Sequence, residues 1–196
     1  MMHKCIYLHG LNSSGGSYKA GVLRERLAPI PVLAPDYPAH QSDKAIERLS
    51  CFLQGLVDGP DPDSGLVLIG SSMGGFYGQY LARHFGVEHL FMINPALEPW
   101  QLLPEFIGQS MTTARGATYQ VTREMIEKTR RYAVADPCDG IPTTIFIDAE
   151  DEVIPPKIAQ GLYANCGRLI VFPGGDHSFQ HLDAAIDVIL EKAVSL

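Results

Sequence analysis

The sequence predicts an α/β protein with a mainly parallel sheet of six strands and helices on both faces. Three observations carry this expectation. Short apolar runs bounded by Gly, Pro or Asp alternate with longer segments of helical period, the pattern of βαβ units. Several of those runs are apolar nearly throughout, as strands covered on both faces are. The length of 196 residues, 46% hydrophobic and 19% charged, is that of one soluble domain with a sizeable core.

Taken in order, the first strand is expected at 4–9, where Cys5-Ile6-Tyr7-Leu8 runs up to Gly10. A helical segment at 17–27 leads to a strand at 31–35, enclosed by Pro31 and Pro35. The helix at 42–57 is followed by Gly59 to Gly65, whose Pro and Asp residues mark a surface loop. Leu66-Val67-Leu68-Ile69 forms the third strand, expected at 65–70, and a helix at 72–85 leads to the fourth strand at 88–94. From 95 to 141 the rhythm breaks. No strand is expected there, only helical stretches near 99–107 and 122–132, joined by Gly, Ser and Thr without clear periodicity. Such an excursion over strand ends caps an active site. Strands at 143–148 and 168–172 flank a helix at 155–163. A helix at 178–194 closes the domain, with Leu182, Ile186, Ile189 and Leu190 on one stripe.

Composition excludes several function classes. Fifteen Lys and Arg against 22 Asp and Glu give a net charge of −7, which disfavours nucleic acid and anionic membranes as partners. The longest apolar runs fall far short of the roughly 18 residues that cross a bilayer. The apolar start meets His9 and Gly10 too soon for a secretory signal, so a cytoplasmic protein is expected. Cys5, Cys51, Cys138 and Cys166 show no CxxC spacing and are read as reduced thiols.

The sharpest motif is Gly70-Ser71-Ser72-Met73-Gly74, a G-x-S-x-G set between an apolar strand and a helix. A strand that turns sharply into a helix crowds its neighbours, so small residues flank the nucleophile, and only Ser72 fits the central position. The plain alternative makes Gly70-Ser71 an ordinary turn and Ser72 an N-cap. His177 follows the run Leu169-Ile170-Val171-Phe172 and a Pro-Gly-Gly turn, at the strand end that Ser72 shares; His181 is the reserve base. His40, His84 and His89 read as surface residues.

A carboxylate that orients the histidine is expected between Ser72 and His177 in the chain. Asp148, Glu150, Asp151 and Glu152 follow the fifth strand. Asp148 ends the strand, and Asp151, on the loop beyond, is better placed to reach His177. The oxyanion hole is expected from the backbone N–H groups of Leu11, after the flexible Gly10, and of Met73.

With these residues in place the chain resembles the YqiA-type esterases, small α/β-hydrolases, along nearly its whole length. The resemblance rests on Tyr7-Leu8-His9-Gly10-Leu11-Asn12-Ser13-Ser14, Gly70 to Gly75, Ile93-Asn94-Pro95-Ala96, Asp151-Glu152-Val153 and Gly174-Gly175-Asp176-His177-Ser178-Phe179. It implies Ser72 as nucleophile, Asp151 as acid, His177 as base, and a three-layer α/β-hydrolase fold with strand order 2-1-3-4-5-6. Leu11 and Met73 depart from the family's usual Phe and Leu, and Glu150 replaces a Gly that often precedes the acid.

The expectation is therefore a single-domain serine esterase acting on small or short-acyl esters through an acyl-enzyme, without cofactor or metal. His9, Gly10, Asn12, Asn94 and Pro95 are the expected substrate contacts, and a monomer or small homo-oligomer the expected state. A thioesterase or acyltransferase would use the same triad, and a non-catalytic binding protein would keep only the pocket.

Overall fold

The computed structural model describes residues 3–61 and 64–195, so residues 62 and 63 of the expected loop at 59–65 lie outside the described residues. Its strands are β1 (Lys4–Leu8), β2 (Val32–Leu33), β3 (Leu66–Ser71), β4 (His89–Ile93), β5 (Ser110–Thr112), β6 (Thr118–Gln120), β7 (Thr143–Asp148) and β8 (Arg168–Phe172). Six of them form one parallel sheet in the order β2-β1-β3-β4-β7-β8. Within this sheet the order is the expected 2-1-3-4-5-6; along the chain it differs because β5 and β6 intervene and pair with each other.

The helices are α1 (Tyr18–Arg26), α2 (Ser42–Val57), α3 (Met73–His84), α4 (Pro99–Leu102), α5 (Arg123–Thr129), α6 (Pro156–Leu162) and α7 (Leu182–Ser195). The alternation of side chains along each strand builds two cores. Ile6, Leu8, Leu68, Leu90, Met92, Ile145 and Ile147 meet α2, α3 and α6 on one face. Cys5, Tyr7, Val67, Ile69, Phe91, Ile93 and Phe146 meet α1 and α7 on the other. A third, small core of Leu103, Val121 and Ile126 holds the excursion together. Among the described residues no helix is long and apolar enough to cross a membrane.

The excursion differs from expectation. A hairpin, β5–β6, stands where no strand was predicted. Each strand is only three residues long, too short for an alternation to show. The connection closes through Thr113 N–H to Ala117 O and Gly116 N–H to Thr113 O, with Gly116 at φ +82°. The helical stretch at 99–107 splits into α4 and a 3₁₀ turn at Leu103–Phe106, because Pro104 has no N–H to continue the α pattern. Similarly, α5 ends in a 3₁₀ turn at Arg130–Tyr132. The last helix starts at Leu182, four residues later than expected, because Ser178 and Gln180 donate their N–H groups to Asp176 and Asp148 instead.

The reduced-thiol expectation fails for one pair: Cys138 and Cys166 form a disulfide. They lie 28 residues apart but on the segments entering the adjacent strands β7 and β8, which brings their Cα atoms to 5.2 Å. Of the free cysteines, Cys51 is exposed, whereas burial in β1 pushes the Cys5 thiol up to about 12, leaving it inert.

His89, read as a surface residue, is buried at 3% exposure because it opens a central strand. Its Nε2 pairs with Thr144 Oγ1 at 3.0 Å, while Nδ1 is buried with no hydrogen-bond partner among the described residues. Desolvation lowers its pKa to about 4, helped by Lys192. The neutral ring is therefore the folded form, and the unfolded chain binds the extra proton. Its contribution to stability is present above the ordinary value of 6.5 and is lost as pH falls toward 4. We expect an acid-driven loss of roughly 2–3 kcal/mol over that window. Melting temperature against pH tests this by its slope: His89→Gln should flatten it, and an unchanged slope would reject the assignment.

Candidate active site

The carboxyl ends of β1, β3, β4, β7 and β8 converge, and the predicted site residues lie in the turns leaving them. Ser72 follows β3 at φ 53° and ψ −119°, a conformation that costs a non-glycine residue energy. The turn is pinned from both sides. Ser72 N–H donates to Ile93 O at 3.0 Å, and Gly75 and Ala96 N–H donate to Ser72 O. A Cβ on Gly74 would fall 2.0 Å from Leu8 O, and one on Gly70 2.4 Å from Gly74 O, so only hydrogen fits at either position. Ser72 does occupy the N-cap position of α3, but its hydroxyl makes no capping bond. The ordinary N-cap reading therefore fails, and Oγ is left to the site.

The β1 turn packs directly on this serine. A Cβ on Gly10 would sit 3.1 Å from Ser72 Cβ and 3.6 Å from Oγ. Leu11 follows at once, and Met73 is the first residue of α3, where an N–H has no acceptor within the helix and the helix dipole is positive. His9, expected to touch substrate, does not line the cavity beside Ser72. It is 1% exposed and stacked on Tyr37 with ring centroids 4.2 Å apart. Its Nδ1 donates to Gly10 O at 2.9 Å, and Nε2 accepts from Tyr37 N–H at 3.4 Å. Both ring nitrogens are spent and burial lowers its pKa, so the neutral ring serves as a brace that holds Gly10 and Leu11 in place.

His177 Nδ1 lies 3.1 and 3.0 Å from the two oxygens of Asp151. That carboxylate is almost wholly buried and is itself fixed by Val153 and Ile154 N–H at 2.9 and 2.8 Å. Glu152 accepts from His177 N–H at 3.1 Å, while Glu150 is exposed and gives its own N–H to Gly174 O. The acidic run thus divides its tasks, with Asp151 alone of the four paired to the His177 ring. With Nδ1 occupied, Nε2 is the nitrogen left to take a proton.

Ser72 and His177 line one cavity of about 160 Å³, together with Leu11, Asn12 and Met73. Its remaining wall is apolar: Ala96, Pro99, Leu102, Leu103, Phe106 and Met111 come from the excursion, and Val153 and Ile154 from the loop carrying the acid. The excursion's wall was legible in outline, but the tips that reach the cavity were not, because Met111 sits in the unforeseen hairpin.

Asn94 and Pro95 are brought close without lining the cavity. Asn94, at φ 40°, accepts from Asp148 N–H at 2.9 Å and donates from Nδ2 to Asp176 O at 3.0 Å, bridging β4, β7 and the histidine loop. Pro95 packs against Gly75, where an added Cβ would come within 2.7 Å of its ring. Both are positioning residues here.

Asp148 carries more than the end of a strand. Fully buried, it accepts from His181 Nδ1 and Gln180 N–H at 2.7 Å each and from Asp176 N–H at 3.3 Å. It closes against Gly175, whose φ of +78° and missing Cβ admit the carboxylate. His181 thus has the same kind of Nδ1 pairing as His177, but only His177 shares the lining of the cavity beside Ser72. The signal available in the sequence was the coincidence of an acid at a strand end with a second histidine four residues after the first.

A family model described as an uncharacterised protein family, UPF0227, matches residues 4–193. Among solved structures, the esterase Est1E from Butyrivibrio proteoclasticus with ferulic acid bound superposes with a TM-score of 0.78 at 17% identity, covering 98% of this chain and 88% of its own. An Agrobacterium vitis S4 protein described as a hydrolase gives 0.80 at 20% identity with the same coverage. The esterase domain of a Rhodothermus marinus protein gives 0.71 at 16%, covering 98% and 85%. At such identities the likeness shows the fold, and that fold is the α/β hydrolase.

Proposed function

The chain belongs to the UPF0227 family, and from that premise we propose that it is a serine hydrolase cleaving short-acyl carboxylic esters. The observation that carries the reading is the strained, uncapped Ser72 sharing a cavity with a histidine whose Nδ1 is held by a buried aspartate. In this reading Ser72 Oγ attacks the ester carbonyl while His177 Nε2 takes its proton. The negative oxygen of the tetrahedral intermediate is met by the N–H groups of Leu11 and Met73. The protonated imidazole, stabilised by Asp151, hands its proton to the departing alcohol. Water then attacks the acyl-serine as His177 takes its proton, and collapse of the second tetrahedral intermediate releases the acid while His177 returns that proton to Ser72 Oγ.

The size and lining of the cavity favour a small acyl group. The cavity measures about 160 Å³ and its wall is mostly apolar. Hydrolysis of p-nitrophenyl esters from acetate to palmitate tests this. Rates per ester should peak between acetate and hexanoate, with covalent labelling of Ser72 by a serine-directed phosphonate. A maximum at palmitate, or labelling elsewhere, would reject the reading.

A further inference from the structure

Beside the catalytic cavity lies a larger one of about 540 Å³, formed by the β1 turn, the segment after β2 and the β5–β6 hairpin. Asn12 lines both and stands between them. The two differ in chemistry. The space beside Ser72 is walled mainly by apolar side chains, whereas the larger one presents Ser13, Asp36, Gln41, Arg48, Arg115 and Thr118.

The walls of the larger cavity are cross-linked, so it is held open rather than left to side-chain drift. Arg115 at the hairpin turn pairs with Asp36, whose other oxygen accepts from Gly15 N–H at 2.9 Å. Tyr119 donates its hydroxyl to Asn12 Oδ1 at 2.8 Å and stacks on His40 with ring centroids 4.1 Å apart. Asn12 in turn reaches Met111 Sδ from Nδ2 at 3.5 Å and holds φ at 59°.

Charge sets the choice of ligand. Asp36 and Arg115 neutralise one another, and burial and Lys44 keep His40 toward its neutral form. Arg48, on α2, then stands exposed in the lining with no hydrogen-bond or ion-pair partner among the described residues. In a chain of net charge −7 this leaves the larger cavity, which shares Asn12 with the one beside Ser72, with one uncompensated guanidinium. Such a planar fork matches an oxyanion.

We propose that this cavity receives the alcohol portion of the ester, and that it selects alcohols bearing a carboxylate or phosphate through Arg48. The proposal rests on Ser72 being the nucleophile. The small apolar space takes the acyl group, Asn12 marks the scissile bond's neighbourhood, and the anionic end of the leaving alcohol reaches Arg48.

The test compares kcat/KM for butyrate esters of 4-hydroxybenzoate, 4-hydroxyphenyl phosphate and the neutral 4-hydroxybenzamide. One or both anionic esters should be favoured by roughly three- to tenfold at low salt, with the preference shrinking at high salt. The ester preferred identifies the carboxylate or the phosphate as the group read. The anionic-to-neutral ratio should fall to near one in Arg48→Gln and be only partly kept in Arg48→Lys, which retains the charge but not the planar fork. Equal rates for all three esters, or a ratio indifferent to Arg48→Gln, would overturn the subsite while leaving Ser72-dependent hydrolysis intact. Hydrolysis that survives Ser72→Ala would instead remove the nucleophile, and the subsite with it. Position 48 is exposed and helical, and Gln and Lys are both good helix formers, so the variants should fold.

Discussion

Ser72→Ala should lower kcat for short-acyl esters by about 10⁴-fold or more while the melting temperature stays within a few degrees of the parent. Alanine adds no atoms at the crowded turn, and the bonds that pin it run through the backbone of Ser72, which the substitution keeps. The strain at φ 53° is kept as well, so the variant isolates the loss of Oγ. His177→Ala should cost a similar factor, and the double variant should be scarcely worse than either single one. Nucleophile and base act as a unit, so removing one makes the other idle. The residual rate would come from the N–H donors of Leu11 and Met73 and from binding alone. Losses that multiply in the double variant would show that Ser72 and His177 do not work together, and the mechanism would have to be abandoned. Single-turnover kinetics with p-nitrophenyl butyrate, alongside thermal denaturation of each variant, supply both readouts.

How far the sequence revealed this arrangement depended on the range over which each signal acts. Apolar runs such as Leu66-Val67-Leu68-Ile69 report burial on both faces of a sheet, as in the inner strands β1, β3, β4 and β7, and the partly buried edge strands β2 and β8 were found at shorter or flanked runs. G-x-S-x-G located Ser72 through residue type and spacing, although only the crowding at Gly70, against Gly74, is local; that at Gly74 comes from Leu8 of β1. By contrast, His9 was misjudged because the ring it stacks on, Tyr37, lies 28 positions away. Likewise, Asn94 looked like a pocket residue until its two partners, at positions 148 and 176, were in place. The Cys138–Cys166 pairing was hidden for the same reason, since adjacency of the segments before β7 and β8 is a fact of sheet order. The hairpin failed differently: three-residue strands carry too few side chains for a period of two to be read.

Asp148 and Asp151, three positions apart in one acidic run, should respond to substitution in opposite ways. Asp151→Asn keeps an acceptor for Val153 and Ile154 N–H and nearly the same shape, so stability should change by about 1 kcal/mol or less. Activity should nevertheless fall by about 10³- to 10⁴-fold, because an amide neither stabilises the imidazolium nor enforces the tautomer that leaves Nε2 free to accept. Asp148→Ala should do the reverse in order of cause. It strips the acceptor from His181 Nδ1, Gln180 N–H and Asp176 N–H in a fully buried place, leaving donors that water cannot reach. We expect a loss of about 3 kcal/mol or more, followed by displacement of the segment from Gly174 to His181 and hence of His177. Its activity should therefore recover when temperature is lowered or the fold is otherwise stabilised, whereas Asp151→Asn should stay inactive wherever it is folded. Urea unfolding and ester hydrolysis measured on the same samples separate the two. A stable, inactive Asp148→Ala together with an unstable, active Asp151→Asn would exchange their roles and move the catalytic pair to Asp148 and His181.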